Sequence, residues 1–160
     1  MTGIPASFLH AELALACYGD FAGSVPTVAE LTKDSVGMSD AQARRFARDW
    51  RVVDQYTHSE VIEYIDEFGN PQQVETRNGL SVTLFEEAGT GKRHLAIRGT
   101  DDVGDILTDW FDIAILGSAK YQGQYQTLKL KVQEWLADPA RLQGRTFTVA
   151  GHSLGGFLAT

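Results

Sequence analysis

The segment Gly151-His152-Ser153-Leu154-Gly155 places a serine between two glycines, each two residues away. A serine hydroxyl becomes a useful nucleophile only when its backbone holds it clear of its neighbours and a base takes its proton. The Gly-x-Ser-x-Gly spacing serves the first need. In a tight strand-to-helix turn, a Cβ at Gly151 or Gly155 would collide with adjoining backbone. The chemistry so positioned is acyl transfer with Ser153 as nucleophile. The N–H of Leu154, which follows the serine, would donate to the developing oxyanion. A helix starting there would aim its positive end at the same charge. A glycine-rich turn with an incidental serine is the competing reading. The strand pattern before the motif and the small-residue helix start after it favour the elbow.

His152 adjoins the serine but is a poor candidate for its base. Side chains of adjacent residues diverge at a tight turn, and a base must reach Oγ at hydrogen-bond distance. In this arrangement the order along the chain is Ser, then Asp or Glu, then His. Residues 154–160 contain neither an acid nor a histidine. The triad partners are therefore expected beyond Thr160, with residues 1–160 forming the N-terminal portion of a single domain. For His10, His58 and His94, surface or packing roles are expected.

The elements that must position this motif are legible from pattern. Residues 6–18 read as an amphipathic helix, and residues 27–33 as a short one. Ser39 followed by Gln42 is a capping box, so a firmer helix starts there. Phe46 and Trp50, four apart, would share its buried face. Residues 51–56 and 61–68 are candidate strands, and Gly69-Asn70-Pro71 is a breaker. Residues 80–85 alternate apolar and polar side chains, residues 89–92 turn the chain, and residues 94–97 follow, which is a hairpin signature. Tyr121, Tyr125, Leu128, Val132, Trp135 and Leu136 recur at helical spacing up to Asp138-Pro139. Residues 146–150 form a short strand leading into the motif. Strand, helix, strand and helix in succession predict a parallel sheet with crossover helices, the α/β class.

With Gly156 added, the motif Gly151-His152-Ser153-Leu154-Gly155 resembles the elbow of the class 3 lipases, the family of fungal triacylglycerol lipases. Ile97-Arg98-Gly99-Thr100 resembles that family's strand-end motif, and Asp109 falls where the family carries an aspartate after the oxyanion loop. The resemblance covers roughly residues 80–160. It implies an α/β-hydrolase-type sheet, a second oxyanion donor from the backbone of Thr100, and Asp109 as a brace for that loop. Residues 101–117 would be a lid, in which Ile106, Leu107, Trp110 and Phe111 lie among acidic residues. An ordinary amphipathic helix on the core fits that segment equally well. Two departures concern chain-length preference. Ile106 stands where fungal members often have Trp, and Tyr121 falls near a position where many have His. The chain is also similar to bacterial lipases and phospholipases that carry calcium-binding repeats, but no such repeat occurs here. No cofactor and no metal site are expected. Calcium at Asp101, Asp102 and Asp105 is the alternative to a solvated charge run, and the spacing lacks the EF-hand pattern.

The bulk numbers exclude other classes. A net charge of −7 argues against nucleic-acid binding, which needs clustered cations. Arg44, Arg45, Arg48 and Arg51 read as a solvated helix face. Cys17 stands alone, so no intrachain disulfide is available. Residues 6–17 lack the positive flank of a secretory signal, and no run is long enough to span a membrane. Secretion by another route and a cytoplasmic location both stay open, as does the oligomeric state. The expected activity is hydrolysis of lipid carboxylic esters, with contact at a lipid–water interface. A non-catalytic lipid- or partner-binding fragment, and a serine hydrolase of another substrate class such as a peptidase or thioesterase, are the alternatives.

Overall fold

The computed structural model describes residues 6–76, 80–98 and 119–152. The element order is α1 (Ala6–Ala16), α2 (Val28–Leu31), α3 (Asp40–Asp49), β1 (Trp50–Thr57), β2 (Glu60–Ile65), β3 (Pro71–Thr76), β4 (Ser81–Glu87), β5 (Arg93–Arg98), α4 (Ala119–Ala137) and β6 (Phe147–His152). Four strands form a mixed sheet in the order β1-β4-β5-β6. β4 is antiparallel to both β1 and β5, and β5 and β6 are parallel. The crossover expected between residues 97 and 146 is thus present, with α4 on its path.

Local chemistry starts α2 and α3 where the sequence marks them. Ser39 Oγ accepts from the Gln42 N–H, and Gln42 Oε1 accepts from the Ser39 N–H at 3.1 Å, closing the capping box of α3. Thr27 and Glu30 do the same for α2. α3 ends directly in β1, because the Trp50 N–H still donates to the Phe46 carbonyl while Trp50 itself is extended. The two rings stack at 5.7 Å and 24°. Their expected pairing survives although Trp50 is a strand residue.

The sheet is covered on both sides. On one face α1, α2 and α3 enclose Leu13, Cys17, Leu31, Phe46, Trp50, Phe85, Ala96 and Ala150. Phe85 is at the centre, edge-on to Phe21, Phe46 and Trp50. On the other face α4 and the turns after it enclose Val82, Leu84, Leu95, Ile97, Leu128, Trp135 and Leu142. Alternation in β4 therefore does not mark a wet face, since Ser81 and Thr83 are as buried as their apolar neighbours. Their hydroxyls are tolerated because each is bonded: Ser81 to Thr57 Oγ1 at 3.0 Å, and Thr83 to Gln55 Nε2 at 2.9 Å.

Asp54 ties the edge strand β1 to the α4 side. Its Oδ2 accepts from Trp135 Nε1 at 2.9 Å and from Arg141 Nε at 2.5 Å. A register shift between Val52 and Asp54 leaves Val53 out of the ladder. Val53 then packs with the α4 cluster while Val52 stays in the opposite one.

Four expectations are corrected. α1 is not amphipathic: Leu13, Ala16 and Cys17 are buried, but Phe8 and Leu15 are exposed on its outer side. The strand expected over residues 61–68 stops at Ile65 and pairs with a strand that was not expected, β3. The strand of residues 146–150 runs on through Gly151 and His152. The basic cluster is not wholly a solvated face, because Arg45 reaches across to the largely buried Glu12 of α1. Arg44 and Arg48 are exposed, as expected.

Candidate active site

The strand register decides which chain segments meet. Thr57 of β1 is opposite Ser81 of β4, Ser81 is opposite Arg98 of β5, and Arg98 is opposite His152 of β6. These residues form one edge of the sheet. It is the C-terminal edge of both parallel strands, where ligands bind in open α/β sheets. Ile97 is likewise opposite Gly151. The two sequence motifs, 55 residues apart from Arg98 to Ser153 (153 − 98), thus leave the sheet from adjacent strands at the same level. Neighbouring strands are about 4.8 Å apart.

α1 packs across β5 and β6. Small side chains on both sides, Ala16 at the helix end and Cys17 just after it, and Ala96 and Ala150 on the strands, permit that approach. Tyr18, just past the helix, lies beneath the buried Arg98, with the guanidinium 5.9 Å from the ring centroid. An Arg held over an aromatic face is partly compensated for its loss of water. No spacing in the sequence links Tyr18 to Arg98, so only the fold reveals the pair.

Gly151 is the penultimate residue of β6. Ser153, Leu154 and Gly155 lie outside the described residues, as do Thr100 and Asp109, the 101–117 segment, and Asp101, Asp102 and Asp105. Among the described residues, no group of three or more His, Cys, Asp or Glu side chains is gathered to hold a metal ion. Among those residues, too, no helix is long and apolar enough to cross a membrane.

The sheet separates two histidines from the end of β6, His58 sideways along the same edge and His94 along the strand. His58 follows β1, three strands from β6, or about 14 Å. His94 lies four residues below Arg98 on β5, about 13 Å toward the opposite edge. There it is buried, with Nδ1 2.6 Å from Thr148 Oγ1 and Nε2 3.5 Å from Glu87 Oε1, and its ring edge-on to Trp50 at 5.1 Å. This is the packing role expected for it. Burial pushes the His94 pKa below its ordinary value; Glu87 opposes the shift, and His10 and Lys92 add to it.

A pH dependence follows. The unfolded chain binds a proton at His94 near about pH 6.5, and the folded chain binds it only at lower pH. Stability is therefore expected to fall as pH drops below about 6.5, until the folded imidazole itself titrates. Urea midpoints between about pH 7.5 and 5 measure this. His94→Gln should show a shallower decline, and an equally steep one would assign the effect to another group.

A cleft of about 460 Å³ opens at the opposite edge of the sheet, lined by Leu9, Glu12, Arg45, Trp50, Glu87 and Thr90 among others. It borders the β4–β5 turn, a full strand length from Arg98 and His152, so it is separate from the candidate site.

A mixed sheet between helical layers, with two motif-bearing strands ending side by side, defines an α/β fold. Among solved structures it is similar to the Lip2 lipase from Yarrowia lipolytica, with a TM-score of 0.51 and 19% sequence identity. The match covers 98% of this chain and 52% of that chain, so the protein spans about half the length of that lipase. No family model matches the chain, and no curated protein matches it in sequence.

Proposed function

We propose that the protein is a serine-dependent hydrolase of lipid carboxylic esters, acting through an acyl-enzyme on Ser153. One observation carries this reading: β5 and β6 end side by side, with Arg98 opposite His152. The segments bearing Thr100 and Ser153 therefore start from neighbouring points on one edge. The lipase-like fold supports the substrate class.

In the proposed reaction, Ser153 Oγ bonds to the ester carbonyl carbon as a general base takes its proton. The backbone N–H groups of Leu154 and Thr100 hold the oxyanion, Asp109 braces the Thr100 loop, and Gly151 and Gly155 keep the turn tight. The carbon–oxygen bond to the alcohol breaks and the alcohol leaves with the proton. Water then releases the acid from Ser153. The base and its acid partner belong C-terminal to the serine in this chain order.

A fluorophosphonate probe tests this. In the full-length protein it should label one serine, and peptide mass spectrometry should place the adduct on Ser153. An adduct elsewhere, or none in a protein that still partitions onto lipid, would replace the proposal with the binding-module reading.

A further inference from the structure

Three residues beyond β1 the chain leaves the sheet and builds a separate arm. Among the described residues, β2 and β3 pair only with each other, in a two-stranded sheet of their own. The base of the arm is pinned at the candidate-site edge: the His58 N–H donates to the Leu80 carbonyl at 2.8 Å, and Thr57 bonds Ser81. Its tip is knitted around Asp66, whose Oδ1 accepts from the backbone N–H groups of Phe68 and Asn70 at 3.0 and 2.8 Å. Gly69 completes the turn at φ +83°.

The arm displays apolar side chains to solvent. Phe68 is 81% exposed, Ile65 65%, Val61 61% and Tyr64 48%. A hairpin of two strands has no core of its own to gain from them. Val61 stands near the base of the arm, whereas Ile65 and Phe68 stand at its tip, where exposed apolar side chains mark an interaction surface.

We propose that the β2–β3 hairpin is an arm that inserts its tip, Phe68 and Ile65 first, into a neutral or zwitterionic lipid surface. The inference deepens the ester-hydrolase reading and rests on it for the substrate class. Two observations select this occupant. The arm springs from the sheet edge where β5 and β6 end, so docking it brings that edge toward the lipid. Finally, residues 58–76 hold five acidic side chains (Glu60, Glu63, Asp66, Glu67, Glu75) and no Lys or Arg, which repels an anionic membrane.

The test is co-sedimentation of the full-length protein with phosphatidylcholine vesicles, in a Ser153→Ala background so that the vesicles stay intact. Ile65→Ser combined with Phe68→Ser should weaken partitioning at least tenfold with an unchanged thermal midpoint. Phe8→Ser, an exposed apolar site on α1, should change nothing. Vesicles rich in phosphatidylglycerol should bind less than neutral ones. With Ser153 restored, the double variant should lose turnover on emulsified lipid and keep it on soluble p-nitrophenyl acetate. Unchanged partitioning overturns the proposal. So does a change of oligomeric state in the double variant without lipid, which would assign the arm to a second copy. Vesicle binding that needs Phe68 and Ile65 in a protein that takes no fluorophosphonate would keep the arm and remove the hydrolase.

Discussion

Alanine at Ser153 is expected to lower kcat/KM on a soluble p-nitrophenyl ester by about four to six orders of magnitude, leaving only what oxyanion donors and binding provide. The size of the loss separates the proposed role from lesser ones. A serine that merely bonded substrate would cost one hydrogen bond, about tenfold. Folding should be unaffected, because the substitution removes one hydroxyl and no apolar packing. Initial rates together with thermal midpoints check both statements. Unchanged turnover with a normal midpoint would remove Ser153 from the mechanism.

Trp135→Ala is expected to destabilise the fold by about 3–5 kcal/mol, the largest effect for one position in the α4 cluster. The ring is fully buried against the sheet, and its Nε1 donates to Asp54. Truncation therefore opens a cavity and also removes a bond to a carboxylate that Arg141 and the Gln55 N–H then hold. Trp135→Phe divides the two contributions. It keeps most of the packing and loses the N–H, for about 1–3 kcal/mol. Urea unfolding of both variants measures the split. Equal losses would show that the bond to Asp54, not the packing, dominates.

What the sequence makes legible divides by the physical origin of each signal. Capping is local, so Ser39 and Gln42 announce α3, and the box forms as read. The β4–β5 hairpin and the parallel crossover to β6 are also local in pattern: alternation, a Gly-rich turn and a helical repeat that includes Leu128, Val132 and Trp135. β3 is silent because its residues are mostly polar, and Pro71, Gln72 and Gln73 are exposed. Gly69-Asn70 between two polar-rich runs was the available sign of a hairpin. β4 misleads because alternation usually reports one wet face, whereas here helices cover both and Ser81 and Thr83 are satisfied by side-chain bonds. Partnerships such as Arg98 with Tyr18, or Asp54 with Trp135 and Arg141, span some 80 residues and leave no local periodicity. At the candidate site, the two motifs could be read from residue types and spacing alone. Their adjacency on one edge could not, since it follows from strand order.

The sheet's connectivity also sets the order in which its parts can assemble. Thr57 meets Ser81 across 24 residues, and β4 meets β5 through a short turn, so this three-stranded meander is closed by nearby chain. His94 meets Thr148 across 54 residues, with α4 between them. That closure costs about 0.7 kcal/mol more in chain entropy than the 24-residue one. It is rewarded only when α4 seats Leu128 and Trp135 on the far face. The N-terminal helices and the meander can thus emerge from a ribosome and cohere before β6 is made. The edge that joins the two motifs is completed last, once the chain has been synthesised through β6.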